Sequence, residues 1–163
     1  MSLIRPASEA DVEAIVELIH QLAAYERSAD QVAILEEGLR NDLFGPSPAV
    51  FAHVAEEGGQ VVGMAVWFLN YSTWTGRHGI FLEDLFVRPD RRGLGLGRDL
   101  LVALARVAVE RGYGRIDWSV LDWNESAIGF YRSLGAVAMD EWTGFRLSGS
   151  VLKSLGSPDD PAP

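Results

Sequence analysis

Two adjacent carboxylates, Glu83 and Asp84, interrupt an otherwise apolar run, Ile80-Phe81-Leu82-Glu83-Asp84-Leu85-Phe86-Val87. A strand alternates its side chains between two faces. One carboxylate is therefore predicted to project among Phe81, Leu85 and Val87, the other among Leu82 and Phe86. Burying an unpaired carboxylate is costly, so each requires a cationic or hydrogen-bonding partner, or a task. Desolvation also lifts a carboxylate pKa toward the range of a general base.

A second group follows at once. Arg91-Arg92-Gly93-Leu94-Gly95-Leu96-Gly97-Arg98 lies between this strand and a long helical pattern. Glycines let backbone N–H groups approach a ligand without obstruction. The first turn of a helix leaves its N–H groups unpaired at the positive end of its dipole. Loop and helix start thus make an anion site suited to a pyrophosphate. The string is not a P-loop, because Arg98-Asp99 stands where Lys-Ser/Thr belongs, nor G-x-G-x-x-G, because Arg98 takes its third glycine position. A glycine-rich helix cap that binds nothing is the structural alternative.

A third group is Asp122-Trp123-Asn124-Glu125-Ser126, followed by Phe130-Tyr131. Asn124 suits a helix N-cap. Tyr131, seven residues on, falls on nearly the same helical face, where a phenol serves either as a general acid or as a core aromatic. His20, His53 and His78 are scattered, and no metal cluster is predicted.

The elements that must position these groups are legible from periodicity and punctuation. Leu3-Ile4-Arg5 reads as a strand ended by Pro6. Ser8 and Asp11 form a capping-box pattern before Val12, Ile15, Ile19 and Leu22, which recur at helical spacing. A weaker helix is predicted over 35–44. Strands are predicted over 50–55 and 61–68, joined by the turn Glu57-Gly58-Gly59-Gln60, and over 80–87. Residues 71–79 read as a loop. A helix over 95–110 buries Leu100, Leu101, Leu104, Val107 and Ala108. Then come a strand over 116–121, a helix over 124–134, and closing strands over 136–139 and 145–147. The order implies an α+β domain, a mixed sheet with helices on its faces.

The chain of 163 residues fits one domain, predicted over 1–155, with a proline- and aspartate-rich tail over 156–163 predicted to be disordered. It has no cysteine, which excludes disulfides, thiolate metal sites and a cysteine nucleophile. No basic n-region with a following apolar run opens it, and no apolar stretch is long enough to span a bilayer, so a cytoplasmic location is expected. With 23 acidic against 14 basic residues, the net charge of −9 disfavours nucleic acid and attracts cations.

Together the three groups resemble the GCN5-related N-acetyltransferase (GNAT) superfamily. Its R-x-x-G-x-G hallmark stands here as Arg92-Gly93-Leu94-Gly95-Leu96-Gly97, and the string from Asn124 to Gly135 resembles its second conserved segment. The likeness is nearest to the diamine (spermidine/spermine N1-) and thialysine acetyltransferases. Leu22-Ala23-Ala24-Tyr25-Glu26, the Glu83-Asp84 pair, Trp123-Asn124-Glu125 and Phe130-Tyr131 carry it.

The resemblance implies the GNAT fold, a mostly antiparallel twisted sheet flanked by helices. It implies acetyl-CoA as co-substrate, a small cationic primary amine as acceptor, and a homodimer. By the same resemblance, the backbone of Leu85, Phe86 and Val87 would hold the pantetheine arm. Arg92, Gly93, Leu94, Gly95, Leu96, Gly97 and Arg98 would hold the pyrophosphate, with Asn124 and Ser126 also on the coenzyme. Tyr131 would be the general acid and Glu83 the base, working through water. Tyr25, Glu26, Asp84, Asp117 and Trp118 would line the amine site.

The chain departs from the family at Thr143, which replaces an acidic residue ahead of Gly144-Phe145-Arg146-Leu147. That departure favours a shorter diamine or an amino-acid side chain over a long polyamine. A non-catalytic acyl-CoA sensor and an acetyltransferase of protein lysines or N-termini are the alternative readings.

Overall fold

A computed structural model describes residues 2–157. The chain divides into two compact units, Met1–Ser119 and Val120–Pro163.

The first unit holds one five-stranded sheet in sequential order: β1 (Ser2–Pro6), β2 (Phe51–Glu57), β3 (Gln60–Ser72), β4 (Arg77–Val87) and β5 (Ile116–Asp117). The first four strands pair antiparallel, whereas β5 pairs parallel to β4. A parallel neighbour requires a crossover connection. Here that crossover is helix α3 (Leu96–Glu110), packed against strands β1 to β4.

Helices α1 (Val12–Tyr25) and α2 (Glu36–Phe44) build the other layer. Their Val12, Ile15, Leu18, Leu39 and Leu43 form a buried cluster with Val54, Met64, Val66 and Phe86 of the sheet. On α3, Leu96, Leu100, Leu101, Leu104 and Ala108 are buried, as the helical spacing predicts. Val107 stays outside that buried set.

The capping pattern at Ser8 is realised and extended. Ser8 N–H donates to Asp11 Oδ2 (2.7 Å), and Arg5 grips the same carboxylate with two bonds of 2.7 and 2.9 Å. Arg5 also donates to Glu56 (2.8 Å), so β1, β2 and the start of α1 share one ion network. The Glu57–Gln60 turn forms as predicted, with Gly58 and Gly59 at φ 59° and 79°, values that suit a hairpin turn only glycine adopts without strain.

Three expectations fail. Residues 71–79 are not a loop: β3 and β4 pair through Tyr71↔His78 and Ser72↔Arg77 around a short turn. There the cross-strand ladder and a Tyr71–His78 ring contact at 5.1 Å outweigh the glycine signal. The strand expected over 116–121 is confined to Ile116–Asp117, because only Ile116 and Asp117 find partners on β4.

The third failure lies in the second unit. Its helices are α4 (Glu125–Ser133) and α5 (Gly149–Leu155). Residues 136–139 and 145–147 form no strands. A strand exists only through its ladder, and these segments are unpaired and open, with Val137 83% and Phe145 96% exposed. Helix α5 was not anticipated. Of the predicted tail, Gly156 and Ser157 bond back onto α5, and the rest lies outside the described residues.

The Arg5 guanidinium beside Asp11 lowers that carboxyl from 3.8 to about 2. A folded pKa below the unfolded value stabilises the fold above about pH 4, and the contribution is lost as pH falls toward 2. Asp11→Ala is expected to lower the unfolding free energy by about 2 kcal/mol near neutral pH. Urea titrations should show the gap from wild type closing between about pH 4 and pH 2.

Candidate active site

Strand β4 does not alternate cleanly through its two carboxylates. Leu82 stands opposite Trp67 and Asp84 opposite Val66, so Glu83 is the extra residue of a β-bulge. The bulge corrects the expectation drawn from strict alternation. Glu83 is exposed, whereas Leu82 on one side is buried and Asp84 on the other is only partly accessible.

Asp84 has its pKa raised to about 6, first by burial, then by the charges of Glu83 and Glu26. Glu26, the residue after α1, is itself raised by burial. The fold thus gathers Glu26, Glu83 and Asp84 from two distant segments into one electrostatic group. Such a group is relieved of its mutual repulsion by a bound cation.

The outer edge of β4 is the second feature. Its ladder with β5 consists of Ile80↔Ile116 and Phe81↔Asp117. Among the described residues, β4 therefore has no strand on that side from Leu82 onward, leaving the edge at Leu85, Phe86 and Val87 without a ladder.

The glycine string follows. Gly93 and Gly95 both adopt φ 82°, a left-handed conformation that favours glycine. A Cβ at either position would meet no atom within 4 Å, so the backbone faces open space. The first bond of α3 runs from Asp99 N–H to the Gly95 carbonyl (3.0 Å). The amides of Leu96, Gly97 and Arg98 consequently lack intrahelical acceptors. Leu96 is buried and anchors the helix start, while Leu94 and Arg98 are exposed. This open, amide-lined cradle fits a pyrophosphate.

Arg92, at the start of the glycine string, donates from Nε to the Val87 carbonyl (3.1 Å), and its guanidinium carbon lies 4.7 Å from the Tyr25 ring centroid.

Asp117, expected to line the amine site, is held by two side chains. Its Oδ2 accepts from Arg115 Nε (2.7 Å) and Asn70 Nδ2 (2.9 Å). Sequence reasoning missed Asn70 and Arg115, and its signal was available: a lone amide at the end of an apolar strand run. Trp118 follows Asp117 directly and is partly buried. A cavity of about 340 Å³ lined by Ser72, Arg77, His78 and Arg115 lies at the opposite, N-terminal end of β4, away from the carboxylates.

In the second unit Asn124 caps α4, its Oδ1 accepting from Ala127 N–H (3.2 Å). Ser126 sits in the first turn. Tyr131, partly buried, lies two turns along, its ring 5.3 Å from that of Phe130.

The Acetyltransferase (GNAT) family model matches residues 13–136. Thialysine N-epsilon-acetyltransferase of Sus scrofa is 41% identical, the match covering 94% of this chain and 96% of that protein. L-ornithine N5-acetyltransferase NATA1 of Arabidopsis thaliana is 32% identical over 94% of this chain and 87% of its own. Among solved structures, an integron cassette protein of V. cholerae superposes with a TM-score of 0.79 at 27% identity, covering 94% of this chain and 96% of that one.

Carboxylate-detected NMR should place the Asp84 midpoint near 6. In Glu26→Gln and in Glu83→Gln it should fall toward 3.8, because each removes a like charge.

Proposed function

From the premise that this chain belongs to the Acetyltransferase (GNAT) family and is an N-acetyltransferase, we propose that it acetylates the primary amine of a small, cationic, amino-acid-like substrate. The observation that carries this reading is the cluster of Glu26, Glu83 and Asp84, with Asp84 held near 6. We read 1–155 as one catalytic domain, which the family match across 13–136 supports.

Acetyl-CoA supplies the activated acetyl group when bound, and the open glycine cradle fits its pyrophosphate. The amides of Gly93, Leu94, Gly95, Leu96 and Gly97, with Arg98, would hold those phosphates. The free edge of β4 at Leu85, Phe86 and Val87 would take the pantetheine amides, as an unpaired strand edge takes any extended chain. Asn124 and Ser126 would complete the coenzyme contacts.

An alkylammonium has no lone pair, so a proton must leave before attack. Glu83, exposed at the bulge, would accept it through water, while Glu26 and Asp84 attract and orient the cation. The nitrogen would then bond to the acetyl carbon and release its second proton to water as the carbon–sulfur bond breaks. Val87 N–H would stabilise charge developing on the acetyl oxygen, and Tyr131 would protonate the departing thiolate. No side chain is acylated in this scheme, consistent with a cysteine-free sequence.

Tyr25 and Trp118 would wall the amine site. Asp117, bound by Arg115 and Asn70, would shape it more than charge it. The acceptor is then short. Thr143 withholds a carboxylate that a polyamine's far end would use, and the thialysine and ornithine specificities of the relatives agree.

We further propose a homodimer, supported by the exposed apolar side chains of Met139, Trp142, Phe145 and Leu147. Light scattering should read twice the chain mass. We also propose a cytoplasmic location; among the described residues no helix is long and apolar enough to cross a membrane.

Thiol release should be measured with thialysine, L-ornithine, lysine, putrescine and spermidine. Thialysine or ornithine is expected to lead; no release with any amine would overturn the reading. Tyr131→Phe should lower kcat by about 100-fold with coenzyme affinity retained, and Glu83→Gln should lower kcat/KM for the amine by about as much.

A further inference from the structure

The register of β3 with β4 aligns more than the carboxylates. Side chains alternate along a strand, so Val66, Phe68 and Asn70 share one face of β3. Their partners across the ladder, Asp84, Phe81 and Gly79, share it too. On β5, Asp117 stands beside Phe81. From Asp84 this face therefore runs over the stacked rings of Phe68 and Phe81, 5.1 Å between centroids, to Asn70, Asp117 and Arg115. Phe68, Phe81, Asn70 and Asp117 are all partly accessible.

The far end of that face is an ion pair of defined shape. Arg115 Nε and Asn70 Nδ2 both donate to Asp117 Oδ2, at 2.7 and 2.9 Å. Oδ1 of Asp117 and the terminal nitrogens of the guanidinium stand outside these bonds. Gly79 makes the arrangement possible, since a Cβ there would lie 2.5 Å from Asn70 Oδ1 and 3.0 Å from Arg115 Cγ. On its other side Arg115 lines the cavity of about 340 Å³ together with Arg77 and His78, and the described lining of that cavity holds no carboxylate.

A lone carboxylate would suit a second ammonium, whereas a carboxylate beside a guanidinium suits a head that carries both charges. The spacing agrees. Two residues of strand and one interstrand step separate Asp84 from Asp117 by about 8 Å. A side-chain amine four or five bonds from an α-carbon spans about 5–6 Å, and a hydrogen bond at either end covers the remainder.

We propose that Asp117 and Arg115 select α-amino acids as acceptors. With the side-chain ammonium at the β4 carboxylates and the methylenes over Phe68 and Phe81, the α-ammonium meets Asp117 Oδ1 and the α-carboxylate meets the Arg115 guanidinium. This rests on the reading that Glu26, Glu83 and Asp84 receive the amine that is acetylated. The pair carries no net charge, and neither does the head it receives. A diamine lacks the carboxylate and sets its second ammonium against Arg115.

L-Ornithine and putrescine differ only in that carboxylate, so kcat/KM for both should be measured with wild type, Arg115→Gln and Arg115→Lys. Wild type is expected to favour ornithine by about tenfold or more, as a charge-assisted hydrogen bond allows. Arg115→Gln should lower kcat/KM for ornithine about tenfold by raising KM. It should raise kcat/KM for putrescine, whose second ammonium then meets Asp117 without a competing cation. Arg115→Lys keeps the charge without the planar fork and should restore part of the preference. A merely structural role requires both substrates to fall together. That result, an unmoved ratio in Arg115→Gln, or a wild type that favours putrescine overturns the proposal and leaves acetyl transfer to an amine standing. A wild type inert toward every amine overturns the functional reading, and this proposal with it.

Discussion

Strand β4 is paired along its whole length with β3 but with β5 only through Ile80 and Phe81. A backbone edge left without a ladder keeps its donors and acceptors available, and water or a ligand must satisfy them. Glu83, Asp84 and the open edge at Leu85 to Val87 all lie along this one partly released strand. The bulge at Glu83 begins just where the β5 ladder stops. The edge at Leu85 to Val87 then leads into the glycine cradle at the start of α3.

The electrostatics follow the same line. A chain with a net charge of −9 has a natural place for a cation where Glu26, Glu83 and Asp84 meet, and it must build its anion site from something other than net charge. In the proposed reading, the unpaired backbone amides at the start of α3 would supply it. Because Asp84 is withdrawn from water as well as crowded by like charges, its ionisation responds to any cation that arrives.

The proposed site residues are distributed over the two compact units. Residues 1–119 carry the sheet, the carboxylates and the cradle, and 120–163 carry Asn124, Ser126 and Tyr131 on a helix whose cap is its own asparagine. Much of the second unit's apolar surface is open. Trp142 and Phe145 are 67% and 96% exposed.

Local patterns in the sequence determined the helices over α1 to α4, the capping box at Ser8, the Gly58-Gly59 hairpin and the positive φ of the cradle glycines. Each follows from short-range periodicity or from one residue type's conformational range. The adjacency of Glu83 and Asp84 was equally plain, but not their unequal fates. A bulge is a property of two strands in register, and only the pairing of β4 with β3 decided which carboxylate would be exposed. Pairing also turned 71–79 into a hairpin and withheld strands from 136–139 and 145–147. The same reason applies to Asp117, held by Asn70 from 47 positions away, and to Arg92, whose side chain meets Tyr25 at the end of α1. Periodicity reports what a segment buries; which partner it meets is decided by the folded chain, because such contacts join residues that no local pattern relates.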